Sequence, residues 1–149
     1  MNKLHLQILR ENLNALSKSV VWLLRSYEQT KNYKHLKKYN PDQFDQLEVL
    51  ASRYARTTDM LVNKVLRSID TVESEDIGTI IDIMNRAEKR SIVQSSDILH
   101  KIKDLRNNIV HEYKISEIER FFKSILEYTP ILIEIINKTN EYCEKYLNT

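Results

Sequence analysis

Glycine and proline are almost absent from this sequence. Its 149 residues include one glycine and two prolines, whereas average usage would supply about ten and about seven. Glycine permits tight turns and close approach of the backbone to phosphate groups, so the shortage excludes a glycine-rich dinucleotide-binding unit and a P-loop. The sequence therefore favours long helices with few connections, in a single domain that spans residues 1–149.

Charge and cysteine content further limit the kinds of protein and site that this sequence can form. The 23 basic and 21 acidic residues give a net charge of +2, which is too small to predict nucleic-acid binding and too small to exclude it. The single cysteine, Cys143, excludes an internal disulfide and a cysteine-built zinc site. The longest apolar run near the N-terminus, Val20–Leu24, is too short for a membrane span. We therefore expect a cytoplasmic protein without membrane contact.

The hydrophobic period predicts an all-α fold. The first helix is expected at about residues 3–31, and a second long helix follows Pro41, which presets a helical first turn. Ser74, followed by two acids, is typical of the N-cap of a short third helix. The apolar stripe predicted for this third helix consists of Ile77, Ile80, Ile81, Met84 and Ala87.

Two further helices complete the pattern. Ser95 or Ser96 is expected to cap the fourth helix, and Ser116 with Glu117 to open the fifth. Pro130 should kink the fifth helix or start a new segment. An antiparallel, up-and-down bundle of about five helices buries all these stripes together.

Polar residues suited to chemistry are concentrated in one segment of the fourth helix, Arg106–Tyr113, with the sequence RNNIVHEY. At about 100° per residue, His111 lies roughly 140° from the direction of the core and Asn107 roughly 180°. Arg106 and Tyr113 share a flank of the helix. The stripe that faces away from the core consists of His100, Lys103, Asn107 and His111.

Residue chemistry alone leaves two interpretations of this face open. In the simpler interpretation, His111 is solvated and Arg106 forms an ordinary surface ion pair. The other is an anion site, because histidine titrates near neutrality and arginine binds phosphate through two donors at once.

The string Arg-x-x-x-x-His-x-Tyr near the end of a helix, with an asparagine directly after the arginine, resembles the signature of HEPN-domain ribonucleases. More narrowly, it is similar to the HepT toxins encoded beside MntA-type minimal nucleotidyltransferases. Residues 55–70 and 80–93 resemble the helices that precede the motif in that family. The resemblance is best from about Leu47 to Tyr146, and it implies a HEPN-like bundle acting as the toxin of a type VII toxin–antitoxin system.

The resemblance implies a metal-independent endoribonuclease that cleaves tRNA or mRNA by attack of the ribose 2′-OH, without a cofactor. His111 would act as general acid or base, and Arg106 would hold the scissile phosphate. Asn107 would orient the imidazole or donate to the phosphate. Tyr113 matches the tyrosine to which the partner nucleotidyltransferase adds AMP, which would put bulk and negative charge beside Arg106.

The helical wheel also predicts a homodimer. Arg106 and His111 diverge by about 140° on a regular helix, which is awkward for one phosphate bound by one chain. A two-fold dimer would bring the arginine of one subunit near the histidine of the other, and the family is similarly dimeric. The alternative functions are a non-catalytic substrate-binding or docking subunit of a nucleotidyltransferase, and a plain interaction bundle.

Other segments are weaker candidates for RNA contact. Lys103, His100, Arg53 and Arg56 could bind RNA, although a solvated face is the simpler interpretation of the two arginines. The connection Tyr33–Tyr39 interleaves basic and aromatic residues, but a solvated loop is favoured there. The chain has no Glu-x-x-His pair, so we predict no metal site.

Overall fold

A computed structural model describes residues 2–76, 78–112 and 115–148, with only the backbone for residues 115 and 116. The α-helices are α1 (Lys3–Thr30), α2 (Pro41–Asp59), α3 (Arg67–Val72), α4 (Ile80–Lys89), α5 (Ser96–His111), α6 (Ile115–Ile118) and α7 (Phe122–Leu147). A π-helical segment, Met60–Leu66, joins α2 to α3, and 3-10 turns follow α1 and α6, at Lys31–His35 and Glu119–Phe121. The described chain thus forms five continuous helical stretches without a strand, which confirms the all-α bundle.

One apolar core holds the helices together. α1 and α2 run antiparallel, since Ser26 contacts Arg53 while Ser19 contacts Thr57. The fully buried side chains that line this core include Leu9, Leu16, Leu23, Leu47, Leu50, Tyr54, Leu61, Ile69, Phe122, Ile125 and Leu132. None of the described helices combines the length and the apolar content that a membrane span requires.

The predicted starts of the two long N-terminal helices are confirmed. α1 begins at Lys3, capped by the side chain of Asn2. α2 begins at Pro41, and Asn40 and Gln43 form a reciprocal capping box around its first turn. Proline has no N–H to lose at this position and its fixed φ suits a helix start. The two polar caps therefore set where the main pair of helices begins.

The predicted start of the third helix is wrong. Ser74 has a φ of 58°, and its N–H donates to the Thr71 carbonyl at the end of α3. It therefore terminates one helix instead of capping the next. The N-cap of α4 is Thr79, which accepts from the Asp82 N–H while the Asp82 carboxylate accepts from the Thr79 N–H.

The buried face of α4 also differs from the predicted apolar stripe. Ile83 and Met84 are buried, whereas Ile81 is 54% exposed, so the predicted apolar stripe is only partly right. Ile77 lies outside the described residues. Gly78 precedes the cap, and a Cβ there would lie only 2.6 Å from Asp82 Oδ2.

In the C-terminal half, two more of the predicted helix boundaries differ from the structure. Ser95 caps α5 as predicted, through the Asp97 N–H. Ser116 is not an N-cap, since α6 already includes Ile115. α7 runs through Pro130 from Phe122 to Leu147, so no new segment starts at the proline. Pro130 is exposed, and the buried residues on either side keep the helix packed against the core.

A buried ionic network fixes the C-terminal end of α7 against α3 and α4. Arg90 donates to Asp70 over 2.6 Å and to Glu73 over 2.9 Å. Tyr142 and Tyr146 donate to the other oxygen of Glu73. Burial raises the pKa of Glu73, but these hydrogen bonds and the charge of Arg90 outweigh it and leave the pKa below its ordinary value. The network therefore belongs to the scaffold.

Candidate functional site

The last two turns of α5 present the motif. Leu105 and Ile109 are buried against the core. His111, the final residue of α5, is exposed, and Asn107 is half-buried. The helical wheel therefore predicts the outward position of His111 correctly, but the other members of the predicted outward stripe, His100, Lys103 and Asn107, are only half-exposed. Leu99 is buried and Ile98 only half-buried, so the core direction differs slightly from the predicted one.

Arg106 is held by an ion pair with Asp59. Its Nη2 donates to Asp59 Oδ2 over 2.8 Å, and its Nε lies 2.7 Å from Asp59 Oδ1. The Nε–Oδ1 contact is an ion pair whose angle departs from hydrogen-bond geometry. The Nη1 group donates to Asn107 Oδ1 over 3.2 Å. The guanidinium is therefore held along one edge by Asp59 and also donates a hydrogen bond to the adjacent Asn107.

This arrangement leaves donors for a ligand. A guanidinium carries five N–H groups. One on Nη2 goes to Asp59 and one on Nη1 goes to Asn107, while Nε faces the carboxylate. Among the contacts of the described residues, one hydrogen on each terminal nitrogen has no partner. Arginine N–H groups of this kind donate to phosphate oxygens.

Sequence reasoning missed Asp59. It is the last residue of α2, directly before the π-helical segment Met60–Leu66, and follows the buried Thr57 and Thr58. π-helical turns inside α-helices are frequent at functional sites. The available signal was an acid beside an apolar stripe, at the point where two β-branched threonines weaken the helix.

The residues predicted to bind RNA differ in their exposure and in their contacts. His100 and Lys103 are half-buried on α5, and Arg56 is exposed on α2. Arg53 is bound to α1, where it donates to the Trp22 carbonyl and to Ser26 Oγ. Tyr113, the predicted site of AMP addition, lies outside the described residues.

The connection Tyr33–Tyr39 does not offer its aromatic rings to a ligand. Tyr33 donates to Gln46 Oε1 over 2.6 Å. Tyr39 packs edge-on against Phe122, with ring centroids 5.6 Å apart. Both rings are engaged with the bundle, which favours the interpretation as a solvated loop with lysine side chains exposed.

The described residues include neither a metal-binding cluster nor a reactive thiol. In the parts of the chain that the structure describes, no three or more His, Cys, Asp or Glu side chains are grouped to hold a metal ion. Cys143 is fully buried in α7, and burial raises the pKa of its thiol to about 12. A thiol with such a pKa is unreactive near neutral pH.

Comparison with known proteins adds no relative. No protein-family model matches the chain, and searches of curated proteins and of solved structures give no significant match. The side chains of α5, the Asp59 carboxylate and the resemblance of the motif are therefore the features of this chain that point to a function.

Proposed function

We propose that this protein is a metal-independent endoribonuclease of the HEPN type that acts as the toxin of a toxin–antitoxin pair. Attack by a ribose 2′-OH on the adjacent phosphate would leave a 2′,3′-cyclic phosphate and a 5′-hydroxyl. The reaction needs a group that moves protons and a cation that holds the phosphate. His111 and Arg106 are assigned to these roles.

The observation that carries the proposal is the fixed guanidinium of Arg106. Asp59 and Asn107 restrain it, and one N–H remains on each terminal nitrogen. A restrained cation binds a phosphate with little loss of side-chain freedom, which is the condition for stabilising charge in a transition state.

The exposed position of His111 supports catalysis across a dimer. An exposed imidazole is accessible to a substrate, but it leaves α5 about 140° away from Arg106 on a regular helix. A two-fold axis close to α5 would bring Arg106 of one subunit to the phosphate that His111 of the other subunit attends. We therefore propose a homodimer whose two sites each use both chains.

The activity would be controlled by covalent modification of Tyr113. A partner nucleotidyltransferase of the MntA type would add AMP to its hydroxyl. The added phosphate would compete with RNA for Arg106, and the nucleoside would fill the space that RNA needs. A second copy of the site in the dimer would be modified in the same way.

The direct test is cleavage of a single-stranded RNA in the presence of a metal chelator. We expect the wild-type chain to produce fragments ending in 2′,3′-cyclic phosphate, and His111→Ala to lose this activity by at least about a hundredfold. His35→Ala, which removes an exposed histidine from the turn after α1, should cleave normally. Mass spectrometry of the fragment ends provides the measurement.

Three results would contradict the proposal. One is equal cleavage by wild type and His111→Ala, which would indicate a contaminating nuclease. Another is loss of activity in the chelator. The third is the absence of cleavage for a series of structured and unstructured RNAs, which would favour a non-catalytic docking subunit.

A further inference from the structure

The neighbouring faces of α1 and α2 carry positive charge around one exposed aromatic ring. Between Glu11 and Glu28 the first helix has no acidic residue, and between Glu48 and Asp59 the second has none. These two stretches lie side by side, as the contact between Ser19 and Thr57 shows. Their four cationic side chains are Lys18, Arg25, Arg53 and Arg56.

This surface concentrates charge that the whole chain lacks. The net charge of the protein is only +2, yet these two stretches hold four positive charges and no negative one. Among the ion pairs of the described residues, none involves Lys18, Arg25, Arg53 or Arg56. A cluster of unpaired cations creates a local positive potential that attracts a polyanion.

Trp22 lies at the centre of this surface and is 53% exposed. The Arg53 guanidinium lies 5.2 Å from the centroid of its ring. Arg53 is held there by hydrogen bonds to the Trp22 carbonyl, over 3.2 Å, and to Ser26 Oγ, over 2.7 Å. Since Arg53 covers one side of the indole and half of the ring remains exposed, Trp22 offers a supported aromatic surface to a ligand.

We infer that Trp22 and the four cations form a binding surface for single-stranded RNA. An unpaired base would stack on the exposed indole, and the phosphates on either side would contact Arg53, Arg56, Lys18 and Arg25. Stacking on aromatic rings combined with a cationic track is how proteins bind single strands without reading sequence. This inference rests on the proposed function, because it assumes that RNA is the substrate.

The placement of the surface connects it to the candidate site. Arg53, Arg56 and Asp59 follow one another at intervals of three residues, so each step along α2 is about 4.5 Å. Asp59 is the residue that holds Arg106. Arg53 contacts α1, whereas Asp59 contacts α5 about 9 Å further along the axis of α2, so an RNA strand stacked on Trp22 would pass around α2 to reach Arg106. We favour RNA over a protein partner here, because four cations without an ion-pair partner among the described residues suit a polyanion.

Trp22 is the only tryptophan of the chain, so its fluorescence reports on this surface alone. The experiment uses the full-length His111→Ala chain, which leaves RNA uncut, and titrates it with a single-stranded RNA of about twelve nucleotides, within the range of single-strand site sizes. We expect quenching of the indole emission on binding. The binding constant should fall steeply as salt is raised, because phosphate contacts release counterions.

Two substitutions in the same background test the contacts, with a fluorescently labelled RNA as the probe. Trp22→Ala should weaken binding by at least about tenfold, the effect of losing one stacked base. Arg56→Ala should weaken binding and reduce the salt dependence by about one phosphate contact. The matched control is Ile81→Ala, since Ile81 is equally exposed on the distant helix α4, and it should bind as the parent does. Circular dichroism confirms that each variant is folded.

The outcomes separate this inference from the proposed function. If the wild-type chain cleaves RNA but Trp22→Ala binds RNA as tightly as the parent does and RNA leaves the indole emission unchanged, the inference is overturned and the ribonuclease stands. If RNA quenches Trp22 and the substitutions act as expected while no cleavage occurs, the surface stands and the nuclease is wrong. If Trp22→Ala alters only self-association, measured by sedimentation, the surface is a contact between copies and the inference is overturned.

Discussion

Arg106 is positioned by two residues that play different parts. Asn107 precedes the catalytic candidate His111 on the same helix, whereas Asp59 comes from α2 and supplies the opposite charge. The sequence predicts Arg106, Asn107 and His111 as a group because they belong to one motif on one helix that resembles the HEPN signature. It could not predict Asp59, because the pair joins residues 47 positions apart and only the packing of α2 on α5 brings them together.

Asp59→Asn tests the positioning role. The amide keeps the shape of the side chain but removes the charge, so Arg106 becomes mobile and kcat for RNA cleavage should fall by about tenfold or more. KM should stay the same or decrease, because the freed guanidinium still attracts RNA. Asp59→Glu should recover part of kcat, since the charge returns. Steady-state kinetics with Asp45→Asn, an exposed acid of α2, as the control gives both constants, and an unchanged kcat for Asp59→Asn would contradict the role.

Helix boundaries depend on contacts that the sequence pattern does not contain. Periodicity correctly predicts α1 and most of α5, because their apolar stripes repeat over many turns. It misplaces α4, because the segment after Ser74 is held by tertiary bonds: Arg86 donates to the Asp76 carbonyl and lies 3.8 Å from Glu75. It also misses the π-helical segment Met60–Leu66, because the apolar period gives no signal for a π-helical turn.

Two substitutions distinguish the true cap of α4 from the predicted one. Thr79→Ala removes the side-chain acceptor of the Asp82 N–H and should lower the free energy of unfolding by about 1 kcal/mol. Ser74→Gly should cost no stability, because glycine accepts the positive φ of 58° without strain. Urea unfolding followed by circular dichroism measures both. Equal destabilisation by the two changes would contradict this assignment of the cap.

Across the whole molecule, the small net charge hides an uneven distribution. Acidic side chains balance the basic ones in the buried network around Asp70 and Glu73, whereas the stretches 12–27 and 49–58 contain no acid. The shortage of glycine also acts at this scale. Since the chain has one glycine, a glycine-rich loop is not available, and the proposed phosphate binding uses side chains carried by helices. A single α5 directs Arg106 and His111 about 140° apart, so the proposed site needs two copies of the chain.

The most direct measurement mixes two inactive variants. Arg106→Ala and His111→Ala chains are purified separately, unfolded and refolded together, and assayed for RNA cleavage in a metal chelator. In a composite site, each mixed dimer has one site with both an intact arginine and an intact histidine. Random pairing would therefore restore about a quarter of the wild-type activity. If the mixture is as inactive as either variant alone, although sedimentation shows that dimers have formed, the account of a shared ribonuclease site is contradicted.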